Sequence, residues 1–476
     1  MTSSPSGLPV VVIGAGPVGL AAAAHLHEHG LPFLVLEAGT GVGAAVAEWG
    51  HVRLFSPWRY NIDPASRRLL DAAGWAAPDL DVLPTGADLV TAYLEPLAKL
   101  PALASHLRYD SRVVGVARLG VDRVRTAGRD GAPFLVRLAD GTEVTARAVI
   151  DASGTWRTPN ALGATGLPAL GETDAASFVE PAMPDVLGAD RDRFAGRHTL
   201  VAGAGHSAAN TLLSLAALAE EHAGTTITWA IRGAGAARAY GGGDADALPA
   251  RGALGTRLRA HVTSGRITLL TGFFTQRLEV GDDRVTAVSR DAAGFEQRVT
   301  VDRVVVATGY RPDHSLAAEL RLDLDPILES TRTLAPLIDP NEHSCGTVPP
   351  HGVDELTHPE VGYFAVGMKS YGRAPTFLMA TGYEQARSVV AALAGDWSAA
   401  RDVRLELPET GVCSTSLVTD DQVPRAEAGG CCGSEPATPA VPAGRGLATG
   451  IRGGLVTVPA TAPGGDGQGA AGGCCG

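Results

Sequence analysis

The sequence predicts an α/β chain with two similar parallel-sheet units and an unstructured end, on three observations. The apolar run Pro9-Val-Val-Val-Ile13 enters a glycine-rich turn and an Ala-rich stretch from Pro17 to His29, and Phe33-Leu-Val-Leu36 is apolar again. The same order of strand, glycine turn, helix and strand recurs from His198 to Ile231. Beyond about residue 400, Gly, Ala, Pro and Thr dominate without sustained periodicity, so residues 401–476 read as a mostly disordered, Gly/Ala/Pro-rich C-terminal tail.

Continuous apolar strands of this length belong to a parallel sheet covered on both faces. After the first unit the chain is irregular and aromatic from Val46 to Asn61, then helical from Gly86 to Leu100. Arg108 to Leu138 alternates in the manner of antiparallel strands, and Ala148-Val-Ile-Asp-Ala-Ser-Gly154 brings a strand back into the first sheet. Thr158-Pro159 and the stretch from Gly163 to Gly171 read as a linker. The second unit has His198-Thr-Leu-Val-Ala202, a turn, a helix from Ala208 to about His222, and Thr226 to Ile231. A second alternating region, Arg266 to Arg303, ends in Val304-Val-Val-Ala-Thr-Gly309. From Asp313 the chain is expected to return to the first domain, with Pro375 to Ala394 as its last helix. The division is 1–160, an inserted 161–312, a return over 313–400, and the tail.

Composition narrows the function classes. A chain of 476 residues has room for about three domains at roughly 150 residues each. Its net charge of -12 is the wrong sign for covering a phosphate backbone, so nucleic acid is excluded as a partner. The first apolar run, Leu8 to Ile13, is broken by Gly14 and has no basic residues before it; a cytoplasmic protein without an export signal or membrane span is expected. Six cysteines make no disulfide scaffold: Cys345 and Cys413 stand alone, and Cys431-Cys432 and Cys474-Cys475 are adjacent pairs. A homodimer is left open.

Gly14-Ala-Gly-Pro-Val-Gly19 follows a strand and opens a helix, and Glu37 ends the next strand. In that context G-x-G-x-x-G reads as a dinucleotide-binding, Rossmann-like turn. Gly14 permits the tight turn, Gly16 lets a pyrophosphate reach the backbone, Gly19 allows close packing, and Glu37 accepts from ribose hydroxyls. The second turn, Gly203-Ala-Gly-His-Ser-Ala208, keeps Gly203 and Gly205, places Ser207 near the third glycine's position, and its strand leads to Arg232 rather than to an acid. A base there neutralises a 2'-phosphate, which favours NADPH over NADH, and Arg238 is a second candidate.

These motifs together resemble the two-domain flavoproteins that bind FAD first and NADPH second, over about residues 8–395. The resemblance extends to Ala152-Ser-Gly154 and Ala307-Thr-Gly309, where that superfamily has its crossovers between domains, and to Tyr109-x-Ser-x-Val113, whose valine backbone would meet adenine. It therefore implies FAD contacts at Val113, Gly154 and Gly367 and an NADPH-domain glycine at Gly309. Where the superfamily has a late Gly-Asp holding the ribityl chain, this sequence has Gly367-Met368, although backbone amides at Phe377 and Leu378 remain for the flavin carbonyl. A disulfide reductase of this kind needs a cysteine pair near the flavin, and residues 1–344 contain no cysteine. What remains is similar to the flavin-containing monooxygenases, in which NADPH reduces FAD, oxygen is activated and a soft nucleophile takes one oxygen atom. The F-x-G-x-x-x-H fingerprint of that group is absent: Phe178 precedes Val-Glu-Pro, and Phe194-Ala-Gly196 runs directly into Arg-His.

More narrowly, Glu48 to Asn61, Tyr240 to Arg251 and Gly367 to Arg373 resemble the flavoprotein monooxygenases of actinobacterial arsenic-resistance gene clusters. That resemblance implies a small soft substrate such as a trivalent arsenical. It also makes Trp49, Ser56, Asn61, Lys369, Tyr371 and Arg373 flavin-pocket candidates, Asn61 being the catalytic one through an amide near the reacting flavin carbon. The tail points the same way, because soft thiolates at Cys413, Cys431 and Cys432 suit three-coordinate As(III). Two alternatives stand beside the monooxygenase: an NADPH:FAD reductase with a Cys474-Cys475 dithiol relay, and a metalloid-binding flavoprotein.

Overall fold

A computed structural model describes residues 7–241, 248–343, 348–375 and 377–405. The expected tail, with Cys413, Cys431, Cys432 and the Cys474-Cys475 pair, lies outside the described residues, as does Cys345. Within the described residues two parallel sheets repeat one plan.

In the first half, β1 (Val10–Ile13), α1 (Pro17–Glu28) and β2 (Phe33–Leu36) form the expected βαβ unit. A helix α2 (Pro64–Ala72) follows, begun by Asp63, whose carboxylate accepts the Ser66 amide, and by Pro64 in its first turn. β3 (Leu107–Arg108) completes one edge. β4 (Val113–Arg118), β5 (Phe134–Leu138) and β6 (Glu143–Ala146) make an antiparallel meander. β7 (Ala148–Asp151) then pairs in parallel with β1.

The second half begins with β8 (Val179–Glu180) and β9 (His198–Ala202), then α3 (His206–Glu221), β10 (Thr226–Ala230) and α4 (Pro249–Thr263). β11 (Ile267–Leu270) joins the parallel sheet, and β12 (Thr275–Val280), β13 (Val285–Arg290) and β14 (Glu296–Val301) form a second meander. β15 (Arg303–Val306) returns beside β9, and β16 (Tyr363–Ala365) pairs with β7 before the last helix, α5 (Met379–Leu393). The strand orders are β16-β7-β1-β2-β3 and β11-β10-β9-β15-β8.

In each sheet the order reverses beside the strand that carries the glycine turn, between β1 and β7 and between β9 and β15. Such reversals open a crevice at the carboxyl ends of the strands. The core follows from this layout. α1 is buried almost all round, Leu20 and Leu26 being fully inaccessible, because it lies between the first sheet and the helices α2 and α5. Burying each such leucine contributes roughly 1.5–3 kcal/mol.

The helix expected from Gly86 to Leu100 is present but changes pitch: Leu89–Leu94 is π-helical between short α segments at Gly86–Asp88 and Glu95–Ala98. Pro96 has no N–H to return to Ala92, and the Ala92 carbonyl accepts the Trp75 indole N–H at 3.0 Å instead. No helix among the described residues is long and apolar enough to cross a membrane.

Candidate functional site

The turn after β1 is shaped by contacts that only glycine permits at two positions. Gly14 has φ +97, and a Cβ there would lie 2.9 Å from the Ala152 carbonyl oxygen; a Cβ on Gly19 would lie 1.9 Å from that of Gly14. Gly16 differs, because a Cβ on it would meet nothing within 4 Å and its backbone is extended at φ -77. Packing explains Gly14 and Gly19, whereas the Gly16 backbone is open and lines a cavity. α1 also starts without a side-chain cap, so its first amides stay free for an anion.

A cavity of about 460 Å³ opens at this turn. Gly14, Gly16, Glu37, Trp49, Val113, Gly154 and Gly367 all line it. Glu37 is held by the Ala15 and Gly39 amides, each 2.7 Å from one carboxylate oxygen, and both oxygens keep lone pairs for ligand hydroxyls. Gly367 has φ +70 and sits against Val18, so the turn after β16 closes directly onto α1. α5 also begins without a side-chain cap, and Phe377 and Met379 at its start reach the cavity. Trp49 is seated over Gly86, where a Cβ would lie 2.7 Å from the indole ring.

Behind the wall stands a charged group that sequence reasoning missed. Asp151 ends β7, and its carboxylate accepts from Lys369 Nζ at 2.6 Å, from the Tyr363 hydroxyl at 2.9 Å and from the Ser153 hydroxyl at 2.6 Å. The side chains of Lys369 and Asp151 are both inaccessible to solvent. Burial pushes Asp151 up, but the Lys369 charge and the hydrogen bonds from Lys369 and Ser153 outweigh it and hold the carboxyl below its ordinary value. Burial, with Asp151 beside it, pushes the Tyr363 hydroxyl well above its usual range. The sequence marked Lys369 only as a pocket candidate; its partner lies 218 residues away, which no local pattern can signal.

The other candidates are placed differently. Asn61 does not line the cavity. It is fully buried, its amide donates to the carbonyls of Ser56 and Pro57, and its oxygen accepts the Ser56 hydroxyl at 3.0 Å. With those bonds it fastens the loop before α2. Ser56 and Tyr371 are likewise buried outside the lining, and Arg373 pairs with Glu329 at 2.8 Å.

The second turn repeats the plan of the first. Gly203 has φ +136, a Cβ on it would lie 2.0 Å from the Ala307 carbonyl oxygen, and a Cβ on Gly205 would meet nothing within 4 Å. α3 starts without a side-chain cap, with Ser207 as its second residue. Arg232 is exposed just past β10 and donates to the Ala164 carbonyl at 3.1 Å; the side chain of Arg238 is outside the described residues. Gly309, at φ +90, belongs to a segment zipped to the first crossover. The Asn160 amide donates to the Gly309 carbonyl at 2.9 Å, Thr308 Oγ1 donates to the Asn160 carbonyl at 2.8 Å, and the rings of Trp156 and Tyr310 stack at 5.0 Å. Glu48 accepts the Trp156 indole N–H at 2.7 Å and pairs with Arg157. Burial and the Glu48 charge together push the Tyr310 hydroxyl up.

A model of the pyridine nucleotide-disulphide oxidoreductase family matches residues 11–347, which span both glycine turns and both crossovers. The chain belongs to that family. This oxidoreductase works with FAD and NADPH, and the first turn fits FAD on its own geometry: an open glycine, a carboxylate in the cavity wall and two uncapped helix starts around one cavity. Among solved structures, the oxidoreductase is similar to the bacillithiol disulfide reductase of Bacillus cereus, at 18% identity over 82% of this chain and 99% of that one, TM-score 0.57. It is similar to a flavin-containing monooxygenase from Stenotrophomonas maltophilia, at 22% over 82% and 98%, TM-score 0.53. It is also similar to the ornithine N-hydroxylase of Kutzneria sp. 744, at 18% over 82% and 99%, TM-score 0.56. At these identities the likeness shows the fold, which reductases and monooxygenases share. No curated protein matches the chain in sequence.

Proposed function

We propose that the protein is an NADPH-dependent FAD monooxygenase that oxygenates a small soft nucleophile, a trivalent arsenical being the substrate class, in arsenic detoxification. One observation carries the choice of branch: residues 1–344, which contain both glycine turns and both crossovers, have no cysteine in their sequence. A dithiol exchange has no partner there, whereas oxygen transfer needs no nucleophilic side chain. The balance is NADPH, a proton, O2 and the As(III) species going to NADP+, water and the As(V) oxide.

In this reading residues 1–160 and 313–400 form the FAD domain around the inserted NADPH domain, 161–312. Gly14, Gly16, Gly19, Glu37, Val113 and Gly154 hold FAD. With FAD bound by these residues, the chemistry supplied would be acceptance of hydride and activation of oxygen. Trp49, Phe377 and Met379 present apolar surface to the cavity and keep water from it, which favours coupling over wasteful oxidation. Gly203, Gly205, Ser207 and Gly309 cradle NADPH, and Arg232 meets its 2'-phosphate.

The test is oxygen uptake by the purified holoprotein with NADPH, with and without arsenite or a methylated trivalent arsenical. The monooxygenase reading expects an arsenical to raise both NADPH oxidation and oxygen uptake, at one oxygen per NADPH. NADPH oxidation that proceeds equally without oxygen and disappears in Cys474→Ser would instead establish the dithiol-relay reductase.

A further inference from the structure

The wall of the cavity contains one hydroxyl whose orientation is fixed from behind. Ser153 follows the crossover strand β7, is solvent-exposed and lines the cavity, while the groups it touches on its other side are buried. Its hydroxyl donates to Asp151 Oδ1 at 2.6 Å and accepts from Lys369 Nζ at 3.1 Å. Asp151 cannot turn away, because Oδ1 also accepts the Ser153 amide at 3.1 Å and Oδ2 accepts from Lys369 and Tyr363. A serine hydroxyl has one proton and two lone pairs. The proton and one lone pair are committed to the buried pair, and the remaining lone pair is left for the cavity.

Stability alone gives weak reason for such an arrangement. Burying a lysine and an aspartate costs desolvation that their attraction only partly offsets, and apolar residues of similar size often serve as well. The cost is incurred at the cavity wall, where it turns a flexible hydroxyl into an oriented acceptor.

We propose that Ser153 is the hydrogen-bond acceptor for a hydroxyl of bound FAD, with the Lys369–Asp151 pair as the group that positions it. The inference rests on the assignment of the cavity to FAD. Ser153 touches the cofactor, and Lys369 acts only through Ser153 and Asp151.

The test is titration of FAD into apoprotein freed of flavin, followed by quenching of flavin fluorescence, with thermal unfolding of each apoprotein as a fold control. Ser153→Ala keeps the Lys369–Asp151 bond while removing the hydroxyl's hydrogen bonds to the pair, and is expected to weaken FAD binding about tenfold in an apoprotein that still unfolds cooperatively, at a somewhat lower melting temperature. Ser153→Thr keeps the hydroxyl and is expected to stay within about twofold of wild type. Lys369→Met removes one anchor and is expected to weaken FAD binding as well; if that variant does not fold, the Ser153 pair decides. A Ser153→Ala protein that binds FAD as tightly as wild type overturns the proposal, as does a Ser153→Thr protein that binds no better than Ser153→Ala. A wild-type apoprotein that takes up no FAD overturns the assignment of the cavity instead.

Discussion

Gly14-Ala-Gly16 and Gly203-Ala-Gly205 have the same three residues, the same uncapped helix start and the same touch between the glycine and a crossover carbonyl, Ala152 in one and Ala307 in the other. They part at the third glycine, at the next strand end and behind the crossover. Gly19 approaches Gly14 so closely that no side chain fits, while Ala208 is tolerated in the second turn. Glu37 is pinned by two backbone amides and lines the cavity; Arg232 is exposed and held by one carbonyl. Asp151 ends the first crossover strand with a buried lysine beside it, and the matching position in the second sheet is Val306. On the proposed function, the difference is that one turn retains its ligand and the other exchanges it. A fixed acceptor set and a rigid charged backing suit a resident cofactor, and an exposed cation suits a substrate that leaves after each turnover.

The largest effect is expected from breaking that backing. Lys369→Met strands the Asp151 carboxylate in the core and is expected to cost about 3–5 kcal/mol of stability at neutral pH, read from chemical denaturation. The sign of its pH dependence follows from the wild-type pair. Asp151 is held below its ordinary value, so the pair's contribution is present above the unfolded aspartate value and is lost as pH falls through the folded one. The gap between wild type and variant is therefore expected to narrow on acidification.

Close behind comes acid sensitivity in the returning segment of the first half. Burial, reinforced by the charge of His314, pushes His358 down to about 4, against Asp323. The unfolded chain takes that proton first, so stability is complete above about pH 6.5 and falls toward pH 4, by about 3 kcal/mol for this residue. His358→Gln is expected to flatten that slope; an unchanged slope would remove His358 from the account.

The two open glycines sharpen the comparison directly. A Cβ added at Gly16 or at Gly205 would meet no protein atom within 4 Å, so the first side-chain carbon is accommodated at either site, and valine is expected to leave the fold intact, checked by the melting temperature of each apoprotein. Gly16→Val is expected to lower FAD affinity by about a hundredfold, roughly 2.7 kcal/mol. Gly205→Val is expected to keep its flavin spectrum and raise the KM for NADPH. The smallest effect belongs to Arg232→Ala, with an expected KM rise for NADPH of about tenfold, little change in kcat and no change with NADH. If both nucleotides respond alike, Arg232 does not read the 2'-phosphate.

Much of the architecture was legible because it is local. Both βαβ units, their glycine turns and the returning strand at Ala148 were announced by apolar runs broken by glycine, and β1, β2 and β9 fall within a residue of their expected limits. Pro64 and Pro249 mark the starts of α2 and α4, a signal present in the sequence and left unread. The unread chemistry is non-local. Arg118 and Arg129 donate at 2.6 Å to the buried Glu360 more than 230 residues away, tying the first meander to the returning segment. The Lys369–Asp151–Ser153 group depends on β16 lying beside β7. Asn61 carried a sensible chemistry, but its immediate neighbours claimed the amide first.

The central claim is that the reduced flavoprotein passes an oxygen atom to a soft substrate rather than electrons to a disulfide. It is tested most directly by a reaction of the holoprotein with NADPH and an arsenical under 18O2, followed by mass spectrometry of the product. One 18O atom per oxidised product molecule, with the second in water, is the predicted result. Product carrying oxygen from solvent alone, or NADPH consumed with only peroxide formed, would contradict it.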